Sequence, residues 1–171
     1  MNDLNEFYNS ILNINNKDYF EEIKRIVIEE RTEVNTMVDQ LDGFCKYFAN
    51  QIEYRIKKEI PGVHTYKINL NDLVFVDHTI LIVEYMTNSQ MKRLLIDPSF
   101  TQFIKKNNAQ LIKLSQWPGD KIDESLMTNL VKYGLVEIDN LSFQNYLNSF
   151  VETHVKFDLE DYLLENKIRK K

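Results

Sequence analysis

The chain has 171 residues, 43% of them hydrophobic and 27% charged, enough for one domain with a sizeable core. A net charge of −5 argues against a nucleic-acid surface, which needs clustered Lys and Arg to replace the counterions of phosphates. The single Cys excludes an internal disulfide and a multi-thiolate zinc site, and with only four Gly residues a glycine-rich nucleotide cradle is not expected.

Met1 to Tyr8 is polar and acidic, without a basic region leading into an apolar one, so no secretory signal is read there. No apolar run approaches the roughly 20 residues that span a bilayer. The expectation is a cytoplasmic protein without a membrane span, a reading that signal-less delivery into another cell would share. Leu4, Phe7, Tyr8, Ile11 and Leu12 recur at helical spacing and predict a short amphipathic helix. Tyr19, Phe20, Ile23, Ile26 and Val27 repeat the pattern after Asn15-Asn16-Lys17-Asp18, where an Asn or Asp can cap the helix start. Glu21-Glu22 and Glu29-Glu30 read as solvated helix faces, and the polar stretch Thr32 to Gln40 as a connection.

Phe44, Tyr47, Phe48, Ile52 and Ile56 predict a helix of about four turns, with Gly43 allowing a tight entry and Cys45 at or near the first turn. Backbone N–H groups and the helix dipole at that end stabilise an anion, so a thiol there has a lowered pKa and a larger thiolate fraction. The competing reading of Cys45 is a small buried hydrophobe. Pro61-Gly62 ends the helix, and β-branched and aromatic residues then predict strands near 65–70, 73–76, 79–85 and 93–96 in an antiparallel sheet. The stretch from Thr79 to Tyr85 is apolar on both faces and belongs in the centre of that sheet.

His78 opens the central strand and Asp97 closes the next one, where Pro98 has no N–H to continue a ladder. A carboxylate that fixes the tautomer of a neutral imidazole makes it a competent base, and Cys45 is the nucleophile such a base requires. Taken alone, His78 reads as a packing histidine. Phe100 to Ile104 predicts a helical turn; Gln102, five residues past Asp97, is a candidate side-chain donor to an oxyanion, and Gln40 is its rival.

Beyond residue 105 the sequence reads as helices. Gln116-Trp117-Pro118-Gly119-Asp120 is a turn, Asp123 to Tyr133 a helix stopped by Gly134, and Ser142 to Phe150 and Asp158 to Ile168 two more. Their apolar stripes, such as Phe143, Tyr146, Leu147 and Phe150, read as core. Lys167 to Lys171 is a short basic tail. His64 and His154 add no metal-ligand spacing, and HExxH, P-loop and GxGxxG motifs are absent, so neither metal nor cofactor is expected.

Gly43-Phe44-Cys45, Asp77-His78-Thr79 opening an apolar strand, and Leu95-Ile96-Asp97-Pro98-Ser99 together resemble the transglutaminase-like and papain-like thiol superfamily. Transglutaminase-like domains carry Cys at a helix start, His on a strand and Asp on the next strand before Pro. With a Gln five positions past the Asp, the pattern most resembles the papain-like glutamine-deamidase domains of bacterial toxins and effectors, which implies an oxyanion role for Gln102. The resemblance covers about Gly43 to Phe103. Ile80 departs from it, because an aromatic often stands two residues after the His, and a Gln ahead of the Cys, as in papain-like peptidases, would favour Gln40 instead.

The expectation is an α+β fold, a small antiparallel sheet packed against helices. The resemblance implies a papain-like or transglutaminase-like core at about 40–106, with helical extensions at 1–39 and 107–171 in a single domain. The implied activity is acyl transfer from an amide through a thioester on Cys45, with His78 as base and Asp97 orienting it. Deamidase, transglutaminase and thiol peptidase or amidase chemistries all use these parts, on a protein or peptide substrate. The alternative is a catalytically inactive module that uses the same cleft to bind protein.

Overall fold

The computed structural model describes residues 18–37, 44–74, 76–107, 110–113, 124–150 and 156–169. The helix predicted at Leu4 to Leu12, Gln40, the turn at Trp117 and His154 lie outside these residues.

Helix α1 (Phe20–Met37) begins where Asp18 Oδ1 accepts the Phe20 N–H at 2.9 Å. It runs through Thr32 to Met37, so that part of the expected connection is helix. Polar composition did not break the periodicity, because buried Val34 keeps the stripe of Ile23, Ile26 and Val27 in phase. Glu30 lies on the same stripe, between Val27 and Val34. It is therefore buried rather than solvated, and Arg55 Nη1 meets it at 3.1 Å from the next helix. That helix, α2 (Cys45–Glu59), turns Phe48, Ile52 and Ile56 inward and gives way at Pro61-Gly62, where Gly62 takes a φ of +86°.

Strand β1 (His64–Asn69) leads into a single helical turn, α3 (Asn71–Val74), and then β2 (Thr79–Thr87) and β3 (Gln90–Ile96) form a hairpin. Asn88 and Ser89 both take positive φ at its tip, the left-handed pair whose twist matches a two-residue hairpin loop. The strand expected near 73–76 is replaced by α3. Asn69 Oδ1 accepts the Asn71 N–H at 3.0 Å, and the Leu73 and Val74 N–H groups turn back to the Leu70 carbonyl. This local closure outweighs the β propensity of Leu73 and Val74.

A 3₁₀ turn (Phe100–Phe103) follows, then β4 (Ile104–Asn107), β5 (Gln110–Lys113), α4 (Glu124–Tyr133), β6 (Leu135–Glu137), α5 (Asn140–Asn148) and α6 (Leu159–Arg169). The three predicted helices of this half are present. The β4–β5 ladder and β6 correct the expectation of helices alone; strands of three or four residues are too short to show a period of two.

The architecture is α+β. Among the described residues, four strands form one antiparallel sheet in the order β1-β2-β3-β6, and β4 pairs with β5 separately. The apolar strand β2 lies inside the sheet and both its faces are covered. Leu81, Val83 and Tyr85 point to the layer of α1 and α2, while Ile80 and Ile82 join the core built with α4, α5 and α6. The registers Asn69↔Thr79 and Leu81↔Ile96 bring the end of β1, the start of β2 and the end of β3 to one end of the sheet. Among the described residues no helix is long and apolar enough to cross a membrane.

Candidate functional site

That shared end of the sheet carries the polar residues singled out from the sequence. His78 immediately precedes β2 and Asp97 immediately follows β3, so the antiparallel register sets them side by side. His78 Nε2 and Asp97 Oδ1 are 2.8 Å apart, with the two residues 0% and 1% exposed. An ionised carboxylate only accepts, so the ring donates through Nε2 and Nδ1 is the nitrogen left to exchange a proton elsewhere.

Cys45 is the first residue of α2 and half-buried. Phe44 at the N-cap brings no side-chain acceptor to the first turn, so the amide groups there remain directed at the thiol end. The Cys45 pKa is lowered, first by the neighbouring His78 imidazole and then by the Thr79 backbone N–H, against the opposing effects of burial and of the Asp97 charge. For His78, burial disfavours the imidazolium. The Asp97 charge and hydrogen bond, together with the Cys45 contact, outweigh it and push the pKa up to about 9. The two shifts point the same way, each favouring the charged form: a lowered thiol pKa on Cys45 and a raised imidazole pKa on His78.

Asp97 is held from three directions. Its backbone N–H donates to the Gly134 carbonyl at 2.9 Å, Oδ1 meets His78, and Oδ2 accepts the Tyr146 hydroxyl at 2.6 Å. Tyr146 comes from α5 on the opposite face of the sheet and is fully buried; burial, and after it the Asp97 charge, raises its pKa well above 10. Its ring packs 5.0 Å from that of Phe150, which in turn lies 6.4 Å from the His78 imidazole. The stripe of Phe143, Tyr146, Leu147 and Phe150 is core, as the sequence implies, but its hydroxyl belongs to the site. The signal was a phenol among apolar residues, since a buried tyrosine O–H requires a partner.

Gln102 falls in the 3₁₀ turn, and its side chain, like the whole of Gln40, lies outside the described residues. His64 sits exposed at the start of β1, at the opposite end of the strand from Asn69. Among the described residues no group of three His, Cys, Asp or Glu side chains is placed to hold a metal ion. No protein-family model, curated protein or solved structure matches the chain.

Proposed function

We propose that this chain is a cysteine-nucleophile enzyme acting on amide bonds by acyl transfer through a thioester, with Cys45, His78 and Asp97 as its papain-like or transglutaminase-like triad. The observation that carries the reading is the buried His78–Asp97 pair set against the thiol at the start of α2. The Cys45 thiolate attacks the amide carbonyl carbon, and the imidazolium gives its Nδ1 proton to the departing amine as the C–N bond breaks. The acyl group then rests on sulfur. Neutral His78 takes a proton from water or from an incoming amine, which attacks the thioester and returns the thiol.

Water as acceptor makes the protein a glutamine deamidase or a peptidase, and an amine makes it a transglutaminase. The Gln five positions beyond Asp97 favours the deamidase side, with Gln102 donating to the oxyanion, whereas Gln40 in that role would favour a papain-like arrangement. Tyr146 acts through Asp97 as a positioning residue.

The test is the pH dependence of iodoacetamide alkylation of Cys45, followed by intact mass in wild type and His78→Ala. Wild type should reach its plateau well below the free-thiol pKa of about 8.5, and the variant should move back toward it. Coincident midpoints near the free value would remove the thiolate–imidazolium pair and leave a protein-binding module as the better reading. Ammonia release and product mass from glutamine peptides then separate deamidation from cleavage and transamidation.

A further inference from the structure

Next to the thiol the molecule carries a shallow cleft that the triad leaves unused. It measures about 240 Å³ and is lined by Lys46 and Asn50 from α2, Lys67 and Asn69 from β1, and Thr79 from β2. Lys46 follows Cys45 directly, and Thr79 presents its backbone N–H to the Cys45 sulfur, so cleft and nucleophile are built from adjoining residues.

The lining is unusual for this chain. It offers two ammonium groups, two amides and a hydroxyl, with no carboxylate and no apolar side chain, in a protein of 26 acidic and 21 basic residues. Lys67 Nζ donates to Asn50 Oδ1 at 2.8 Å, which occupies that amide oxygen and leaves the Asn50 nitrogen as a donor. Glu53 stands 3.8 Å from Lys67 but outside the lining, where it also accepts the Thr65 hydroxyl at 2.8 Å and lies 3.8 Å from Lys57. Lys46 is exposed. The charged groups of the lining are both cations and its amides and hydroxyl add donors, a set complementary to an anion, and charges of one sign in a cleft raise the local concentration of the opposite sign.

We propose that this cleft is the acyl-donor subsite and selects an acidic peptide, one carrying a carboxylate beside the amide that Cys45 attacks. The proposal rests on the thiol-enzyme reading and adds its substrate class. Because both lysines are exposed and screened by salt, the discrimination should be moderate and should shrink as ionic strength rises.

Two alkylating reagents of similar size, iodoacetate and iodoacetamide, differ in charge and probe the cleft through Cys45 itself. Replacing both lysines (Lys46→Gln with Lys67→Gln) should lower the iodoacetate-to-iodoacetamide rate ratio by about tenfold, and Lys→Arg at both positions should preserve it. The single Lys46→Gln change, at an exposed side chain, should give part of the drop even if the double variant fails to fold. Blocked Glu-Gln-Glu peptides should likewise release ammonia faster than Ala-Gln-Ala in wild type and lose that advantage in the variants. A ratio unmoved by either substitution, with Cys45 still reactive, overturns the anion subsite and leaves the thiol reading standing. A Cys45 inert to both reagents below the ordinary thiol range overturns the two together.

Discussion

The arrangement at Asp97 explains why one carboxylate can govern the proposed chemistry from inside the core. Both oxygens and the backbone N–H are engaged, so the carboxylate has a single orientation and its charge is delivered to His78. Asp97→Asn keeps the shape but can offer an amide N–H to Nε2, which favours the wrong tautomer. Turnover on a responsive glutamine peptide should fall on the order of 10⁴-fold while the variant still folds; near-normal turnover would reduce Asp97 to a strand-end residue. Tyr146→Phe removes one charge-assisted hydrogen bond, for an expected loss of about 1.5–3 kcal/mol in denaturant stability. It should also move the pH midpoint of Cys45 alkylation. A phenol that served only as core filler would cost stability and leave that midpoint in place.

Secondary-structure elements hold these side chains through a few close approaches. Gly134 ends α4, accepts the Asp97 N–H and takes a φ of +77°. A Cβ there would stand 3.0 Å from Val27 Cγ1 on α1 and 3.2 Å from Pro98 Cα, so α1, α4 and the end of β3 meet at a point with no room for a side chain. Gly134→Ala should therefore cost about 1–3 kcal/mol from the backbone conformation before any clash is counted. Since both Val27 and the Pro98 backbone next to Asp97 would have to give, Cys45 alkylation should lose part of its low-pH reactivity as well. Thermal unfolding combined with the alkylation profile measures both effects, and an Ala variant with unchanged values in each would show that the junction yields freely.

Across the whole molecule, the thiolate and the imidazolium leave opposite marks on stability. The His78 pKa is raised, so its contribution is complete below the ordinary 6.5 and is lost as pH climbs through about 9. The Cys45 pKa is lowered from 9.0, so its contribution is present above that value and is lost as pH falls through the native one. At pH values above the native Cys45 pKa and between the ordinary 6.5 and about 9, the native pair holds the same number of protons as the unfolded thiol and neutral imidazole, and the two slopes offset one another. Cys45→Ala removes one side of this balance while Asp97 still favours the imidazolium. Its stability in urea should decline from pH 6.5 to 9 more steeply than that of wild type, and parallel profiles for the two proteins would mean that His78 is not charged in the native state.

Much of this architecture is local and was legible in the residues. Ile80 to Val83 is apolar at every position, as a strand covered on both faces requires, and Pro98 has no N–H to carry a ladder onward. Those two features, with the helix start at Cys45, let the three residues be read as a set, because strand ends and helix starts are set by nearby chemistry and antiparallel pairing carries them to one edge. Other features depended on what packs against what. Glu30 looked solvated until helical phase turned it toward Arg55, and the polar stretch after Thr32 continued the helix because Val34 had a core to enter. Strand β6 exists because β3 offers it an open edge. Tyr146 carries the same signature as its apolar neighbours Phe143 and Leu147; only the packing of α5 across the sheet, which brings its hydroxyl to a residue 49 positions away, distinguishes it. A sequence encodes periodicity and chain breaks over a few residues, whereas the partner of a buried polar atom is chosen by the tertiary packing of distant elements.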